Sequence, residues 1–440
     1  MRWRTLPRRV VIAGAALLLS VACGRAQQPA GTQPVHLGVA SCAGGNCHGA
    51  SEPLPGSRVL NNEYITWSTR DKHRDAYKAL SSPQAVRMAR ALGLADAVHQ
   101  KICLDCHTDN VPPEQRGQLF HLADGVGCEA CHGGASNWLG IHISGAGHAA
   151  NLRHGLYPAE QPLARAEMCL GCHFGDNERF VDHRMMGAGH PRLPFELDTF
   201  TEIEPAHFDN AALERSFGVS NLQVWATGQA VALAKRMDVL LDADRARHGI
   251  FPEFALFDCQ SCHHLMDPAH APRPSWTGLD PGTPRLNDAN ALMLQVAAAR
   301  VAPATARDLR DHVLALHRAV TGDWGAVAGE AAAVRRAAQA LVPLLSSHRF
   351  GRDDLRALAV AVIAVAEPRK NLEFAAAEQA TMALASIAAG LRSAGGATDV
   401  QQRAIGAALE ELYAAFPANG ALQPTAFAKG LADFKRAFER

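Results

Sequence analysis

Ten of the eleven cysteines form five short pairs, and a histidine directly follows the second cysteine of each pair. Two thiols at such spacing reach the two vinyl groups on one edge of a haem, and the adjacent histidine becomes the proximal iron ligand. The pattern predicts five covalently bound haem c groups. The predicted attachment cysteines and proximal histidines are Cys42/Cys47/His48, Cys103/Cys106/His107, Cys128/Cys131/His132, Cys169/Cys172/His173 and Cys259/Cys262/His263.

Paired cysteines also occur in zinc sites and in redox disulfides. Cys103/Cys106 with Cys128/Cys131 come near the spacing of a zinc ribbon, and redox CxxC pairs suit an oxidising compartment. Neither kind of site requires a histidine after every pair. With histidine at about one residue in twenty, five chance coincidences have a probability of roughly one in three million. Haem attachment is therefore the stronger interpretation.

Length and composition describe a water-soluble globular protein around these motifs. The chain has 440 residues, 48% of them hydrophobic and 20% charged, which argues against a disordered chain. Its 43 basic residues balance 43 acidic ones. A protein that binds nucleic acid through its charge would carry a basic excess, so no nucleic-acid partner is expected.

The first 26 residues have the three parts of a secretory signal: arginines, an apolar run over residues 10–22, and small residues. The run is too short for a stable membrane span. Ser20-Val21-Ala22-Cys23 resembles a lipobox that would lipidate Cys23, whereas Gly24-Arg25-Ala26 offers plain cleavage. We expect a periplasmic or extracytoplasmic protein that meets the membrane only through a lipid at Cys23, if it has one.

The sequence around the motifs carries a family resemblance. It consists of Ser41-Cys42 to Cys47-His48-Gly49, Trp67-x5-His73-x2-Ala76-Tyr77, the segment GVGCEACHG at 125–133, and Trp138-x3-His142. Residues 40–265 resemble the cytochrome c-554 family of multihaem cytochromes, which is related to hydroxylamine oxidoreductase and pentahaem nitrite reductase. The resemblance implies a mostly helical, loop-rich wrapper around closely packed haems. The chain differs from tetrahaem members by its fifth site, its CX4CH first site and its C-terminal extension.

The resemblance also indicates distal iron ligands. His73 and His142 stand in the two tryptophan contexts, and His183, His190 and His207 complete the set of distal candidates. Met185 and Met186, which lie between His183 and His190, are an alternative that would raise the potential of one haem. His312, His317 and His348 follow the last haem motif and are expected at the surface.

Axial ligation separates two functions. Two imidazoles close the iron and leave electron transfer, whereas an open position binds small molecules. We expect an electron carrier with redox proteins as donor and acceptor. The alternative is a multihaem oxidoreductase that acts on a small nitrogen species at one open haem. The CxxCK site typical of pentahaem nitrite reductases does not occur, and nothing marks a tyrosine as the crosslink of hydroxylamine oxidoreductase. A structural haem-bearing subunit is a third option.

The fold class expected is mainly α: a loop-rich multihaem cytochrome domain at 35–265 followed by an all-α bundle. Residues 266–287 are rich in proline and glycine, which is typical of a linker. Residues 288–440 are rich in alanine and contain no cysteine. Apolar stripes at Leu309/Val313/Leu316/Val320 and Ile405/Leu409/Leu412/Phe416 predict two of about six helices. Thr398 with Gln401 predicts a capping box before the second.

Overall fold

Helices make up the regular structure of this computed structural model, which describes residues 33–54, 59–208, 216–246, 253–263, 276–280, 282–367, 374–417 and 422–439. No strand occurs in these ranges; isolated β-bridges join His36 to Arg116 and Phe257 to Leu286. The mainly α prediction is confirmed. The signal at 1–26 with Cys23, and residues 266–275 and 281 of the predicted linker, lie outside the described residues.

The region of the cysteine motifs contains short helices joined by turns. Its α-helices are α1 Glu63–Arg70, α2 Ala76–Ala79, α3 Pro83–Ala91, α4 Lys101–His107, α5 Cys128–His132, α6 Leu139–Ile143, α7 His148–Arg153, α8 Pro162–His173, α9 His183–Gly187, α10 Leu197–Ile203, α11 Asn221–Leu241 and α12 Ala243–Ala246. Its 3-10 helices are Val39–Ser41, Lys72–Asp75, Pro113–Gln115, Leu122–Asp124, Ala135–Asn137, Phe254–Leu256 and Cys259–Ser261. Few of these are long enough to be stable alone, so they depend on tertiary contacts.

Longer helices follow. They are α13 Ala289–Val301, α14 Pro303–Gly322, α15 Trp324–Ser347, α16 Arg352–Ala366, α17 Phe374–Ser393, α18 Asp399–Ala414 and α19 Pro424–Phe438, one more than the sequence suggested. All four residues of the stripe that begins at Leu309 are buried. Thr398 is the N-cap of α18 and accepts the backbone N–H of Gln401, as expected. Proline at the first turn of α14 and α19 suits a position whose N–H has no partner within the helix.

Helix α11 connects the two kinds of region. Ser220 and Gln223 form a capping box at its start, and nearly all its side chains up to Leu240 are buried. It packs on α8 and α10 of the haem-motif region and on α13, α15 and α17 that follow. One apolar core therefore extends from Ala166 to Ala437. The domain boundaries at 265 and 288 stay a prediction.

One described helix, α17, is long and apolar enough to cross a membrane, with a mean hydropathy of 1.2 over its most apolar window. Most of that window (72%) is buried inside the protein. Ala377, Leu384 and Ile387 are inaccessible or nearly so. The burial identifies α17 as a core helix.

Candidate haem sites

Three of the five motifs lie at the end of a helix. Helices α4, α5 and α8 each end at the histidine of a CxxCH motif. On a helix, residues separated by three or four positions share a face, so both thiols and the imidazole point the same way. The fifth motif begins on the 3-10 helix Cys259–Ser261, and the first follows the 3-10 helix Val39–Ser41. None of the ten described cysteines forms a disulfide.

The predicted proximal and distal histidines come together in pairs from distant parts of the chain. Four pairs are in ring contact, with centroid separations of 6.0 Å for His48–His142, 5.7 Å for His73–His173, 6.5 Å for His107–His190 and 6.2 Å for His183–His263. In the second pair the two Nε2 atoms are 3.4 Å apart. Each pair joins one proximal histidine to one distal candidate.

These separations fit two ligands of one iron. An imidazole nitrogen binds a transition metal at about 2 Å, and the ring centroid lies roughly 1 Å behind it, so opposed ligands have centroids about 6 Å apart. All four pairs lie near that value. The Nε2 separation between His73 and His173 is close to the roughly 4 Å that two such bonds require.

His132 and His207 are the remaining proximal and distal histidines. Burial lowers the pKa of His132 to about 4, and His207 contributes the largest electrostatic part of that change. The two side chains are therefore close enough to interact. Four of the five predicted distal histidines are thus in ring contact with a different predicted proximal histidine, and His207 lies within electrostatic range of the remaining one, His132.

Several of these imidazoles form a hydrogen bond at Nδ1 that fixes the tautomer suited to binding metal through Nε2. His48 contacts Glu63 Oε2 at 2.9 Å, His107 contacts the carbonyl of Ala76 at 2.9 Å, and His73 contacts Asp71 Oδ1 at 3.1 Å. An acceptor at Nδ1 holds the proton there and leaves Nε2 free to bind metal. His190 donates in the same way to the carbonyl of Pro191, at 2.7 Å.

The imidazoles differ in the direction in which their pKa values are shifted. The hydrogen bonds to Glu63 and Asp71 raise the pKa values of His48 and His73. Burial lowers the pKa of His173 to about 4, so its imidazole is neutral at physiological pH, as a metal ligand must be. His173 also stacks on Phe195, with centroids 4.6 Å apart.

A buried glutamate organises the third motif. Glu129, inside CEACH, accepts the backbone N–H groups of Leu37, Gly38 and Ala135 at 2.7 to 2.8 Å. It is only 4% exposed. Three donors compensate the loss of hydration around the carboxylate, and the glutamate thereby joins the N-terminal end of the described chain to the third motif.

Cysteines of different motifs are also neighbours. The thiol of Cys42 interacts electrostatically with that of Cys128, and the thiol of Cys106 with that of Cys172. Cys131 interacts electrostatically with Cys169. The first motif thus lies beside the third, the third beside the fourth, and the fourth beside the second.

The comparison with known families gives a match over part of this region. Residues 41–133 match the family model for cytochrome c554 and c-prime. Residues 41–133 are a cytochrome c554 domain. No curated protein and no solved structure matches the chain. The cytochrome c554 domain contains the first three motifs, and the fourth and fifth follow it.

The matched family consists of multihaem c-type cytochromes, so the domain at residues 41–133 is of that kind. A domain of that family implies covalent haems at paired cysteines, redox proteins as partners and an extracytoplasmic location.

Several functional residues escaped sequence reasoning. Asp71 stands two positions before His73, a local signal, but Glu63 lies far from His48 in sequence. His317 was expected at the surface, and that expectation is wrong: its side chain is 2% exposed and contacts Asp288. Met185 is buried in α9, whereas Met186 lines a cavity beside Cys259.

A group of potential metal ligands, Asp71, His73 and Glu204, brings its ligand atoms within 4.8 Å of one another. Asp71 accepts at Nδ1 of His73, and Glu204 lies 3.7 Å from Nδ1 of His207. Both carboxylates therefore support the predicted distal ligands, so we interpret the group as part of the haem sites.

Proposed function

We propose that the protein is an exported pentahaem c-type cytochrome that passes electrons between redox proteins through bis-histidine haems. The observation that carries the proposal is the ring contact of four proximal histidines with four different distal candidates: His48 with His142, His107 with His190, His173 with His73, and His263 with His183. We assign the remaining two, His132 and His207, to one another because His207 lies within electrostatic range of His132. Bound haem supplies a one-electron iron couple, and two imidazoles per iron leave no position for a substrate.

The chain's own contribution is to hold these rings in place and to keep water away. Trp138 is buried and meets the ring of His142 edge-on at 5.7 Å. Phe195 and Phe200 pack around His173. Such packing limits rotation of the ligands, and a low-dielectric surrounding together with hydrogen bonds at Nδ1 sets the reduction potentials.

The contacts between cysteines support an order for the electron path. Cys42 with Cys128, Cys131 with Cys169, and Cys106 with Cys172 connect the first, third, fourth and second sites. The cavity beside Cys259 is lined by Phe174 and Gly175, directly after His173, which connects the fourth site to the fifth.

The first and fifth sites are the proposed ends of this path. Cys47 of the first motif, and Cys259 and Cys262 of the fifth, are exposed to solvent. Redox partners would meet these ends in brief encounters of small area. Removal of the signal segment deletes arginines and no acid, so the mature chain is acidic and basic patches on its partners are expected.

Haem stoichiometry and spin state test the proposal together. The purified protein should contain five haems per chain by the pyridine haemochrome assay and by intact mass. Low-temperature EPR of the ferric protein should then show low-spin signals alone. Fewer than five haems contradicts the assigned motifs. A high-spin signal that changes when nitrite or hydroxylamine is added would support the alternative, an oxidoreductase with one open haem.

We also propose that Cys23 is lipidated after export. Supporting this is the segment Ser20-Val21-Ala22-Cys23, which lies outside the described residues. The native protein should partition into the detergent phase of Triton X-114, and Cys23→Ser should move it to the aqueous phase. Aqueous partitioning of the native protein would indicate cleavage without lipid.

A further inference from the structure

The imidazole of His173 is held differently from other candidate ligands. Asp71 contacts Nδ1 of His73, and the carbonyl of Ala76 contacts Nδ1 of His107. Among the described residues, none forms a hydrogen bond with Nδ1 of His173. The orientation of this ring therefore depends on the side chains that pack against it.

Phe195 provides the closest ring contact of His173 in the described part of the chain. The two rings stack, with centroids 4.6 Å apart and planes at 18°. Phe195 is 6% exposed, and Phe200 packs on its ring with centroids 4.6 Å apart. A stacked aromatic neighbour prefers one relative orientation and so limits rotation of the imidazole. The position of Phe195 therefore fixes the plane of the His173 ring.

Helix α17 holds the main chain at Phe195. Gln379 donates from Nε2 to the carbonyl oxygen of Phe195 at 2.9 Å, although the two residues are 184 positions apart in sequence. The preceding residue of α17, Glu378, pairs with both Nη atoms of Arg192 at 2.7 and 2.8 Å. Two consecutive side chains of α17 thus anchor the segment 192–195.

Gln379 is itself held by a chain of buried amides. Nε2 of Gln229 on α11 donates to its Oε1 at 3.0 Å, and Nδ2 of Asn290 on α13 donates to Oε1 of Gln229 at 2.8 Å. The three side chains are 1 to 6% exposed. A buried amide without a partner is costly, so each hydrogen bond in such a chain restricts the next side chain. Helices α11, α13 and α17 are thereby connected to the ring that stacks on His173.

The ring planes of the four contacting histidine pairs fall into two groups. His73 with His173 and His107 with His190 are close to perpendicular, at 79° and 90°, whereas the other two pairs lie at 15° and 28°. Axial ligands set the electronic state of haem iron. Perpendicular imidazoles donate equally to the two iron π orbitals, whose energies then stay close, whereas parallel imidazoles separate them. Ferric haem with perpendicular ligands therefore gives a large-gmax low-spin EPR signal, and parallel ligands give a rhombic one.

We propose that Gln379 is a positioning residue, which keeps the His173 ring perpendicular to that of His73 by holding Phe195. The inference rests on the proposed function, because it requires these two histidines to bind one iron. It gives the helices that follow the haem motifs a role in setting the electronic state of one haem. That haem then depends on contacts outside the cytochrome c554 domain at 41–133.

EPR spectroscopy of the ferric holoprotein tests the proposal. Wild type should show a large-gmax signal for each of the two perpendicular pairs, and His73→Ala should remove the one that belongs to the fourth site. Gln379→Met keeps a similar side-chain length but donates no hydrogen bond. It should retain five low-spin haems and move that same signal, one haem's share of the low-spin intensity, toward the rhombic type.

Gln401→Met is the matched control. Gln401 of α18 also donates from its amide to a backbone carbonyl, that of Phe438 at 3.0 Å. This bond joins α18 to α19 and does not involve Phe195 or its neighbours in sequence. The control should lower the denaturant midpoint and leave every EPR signal unchanged. A wild-type EPR spectrum in Gln379→Met, or the same spectral change in both variants, would overturn the proposal.

Phe195→Leu tests the stacked ring directly. Leucine keeps the backbone carbonyl that Gln379 holds but cannot stack on the imidazole, so the signal of the fourth site should move in the same direction. If neither variant assembles, wild type and His73→Ala decide: the absence of a large-gmax signal that His73→Ala removes would overturn the proposal. Fewer than five haems or a high-spin signal in the wild type would instead contradict the proposed function itself.

Discussion

The imidazoles of His73 and His173 oppose each other with Nε2 atoms 3.4 Å apart and ring planes at 79°. Asp71 holds the far side of the first ring, and Phe195 stacks on the second. Two rings so held are ready to bind one iron from both sides. The fourth site is therefore where distal ligation is tested most directly.

His73→Ala should open the haem of the fourth motif. With the other ring intact, the protein should keep its haems, and one of them should become high-spin and bind added cyanide or imidazole. EPR and visible spectra should show the loss of about one-fifth of the low-spin intensity if five haems are present. His312→Ala is the control, because the His312 side chain is 43% exposed and pairs with Glu330 in the helices that follow the haem motifs. An unchanged spectrum in His73→Ala would remove His73 from the ligands.

Glu63→Gln should raise the potential of the haem at the first motif. The carboxylate at 2.9 Å from His48 Nδ1 increases electron donation by the imidazole, and an amide does so less. We expect roughly a tenfold change in the reduction equilibrium, about 59 mV for one electron. Spectroelectrochemical titration measures it, and Glu114→Gln, at an exposed position, should leave the potentials unchanged. Equal potentials in wild type and Glu63→Gln would mean that this hydrogen bond does not tune the haem.

Asp198→Asn should change how stability depends on pH. Glu196 and Asp198 are 2% and 3% exposed, and burial raises the pKa of both, with the charge of Glu196 raising that of Asp198 further. The folded protein keeps a proton that the unfolded chain loses, so this contribution is greatest at low pH and declines as pH rises above the ordinary carboxyl range. A tenfold difference in proton affinity between the folded and unfolded chains corresponds to about 1.4 kcal/mol.

In Asp198→Asn the side chain is a neutral amide, so the free-energy cost of burying a charged carboxylate at residue 198 is absent. Guanidinium unfolding of Asp198→Asn should therefore show higher stability than wild type near neutral pH and little difference in acid. Three other titratable groups lie around Glu196 and Asp198, namely Glu202, Arg165 and Tyr413. Burial raises the pKa of Tyr413 to about 12. If the two proteins differ by the same amount at every pH, the proton does not reside on Asp198.

Two helical glycines should respond in opposite ways to alanine. A Cβ at Gly228 of α11 would lie 2.7 Å from Cβ of Leu197, so Gly228→Ala should destabilise by about 1 to 3 kcal/mol. Gly329 of α15 is exposed and has open space around its Cα, so Gly329→Ala should stabilise by up to about 1 kcal/mol. Denaturant midpoints measure both. A neutral Gly228→Ala would show that α10 can move away from α11.

The haem attachment pattern could be predicted from the sequence because it is local. Two thiols and an imidazole within one or two turns, as in Cys128–His132, have a geometry that depends on the neighbouring residues alone. The buried stripe of α14 and the Thr398 cap are equally local and were predicted for the same reason. The family segment at 41–133 was also recognisable from such local sequence.

The pairing of proximal with distal histidines, unlike the attachment motifs, could not be predicted from local sequence. His48 reaches His142, and His107 reaches His190, only because helices from distant parts of the chain pack together. The same holds for Glu63 at His48, for the buried His317 and for Gln379 at Phe195. The sequence by itself determined the number and chemistry of the candidate attachment sites, whereas tertiary packing alone decided the pairs, since long-range contacts depend on the whole core and spacing does not encode them.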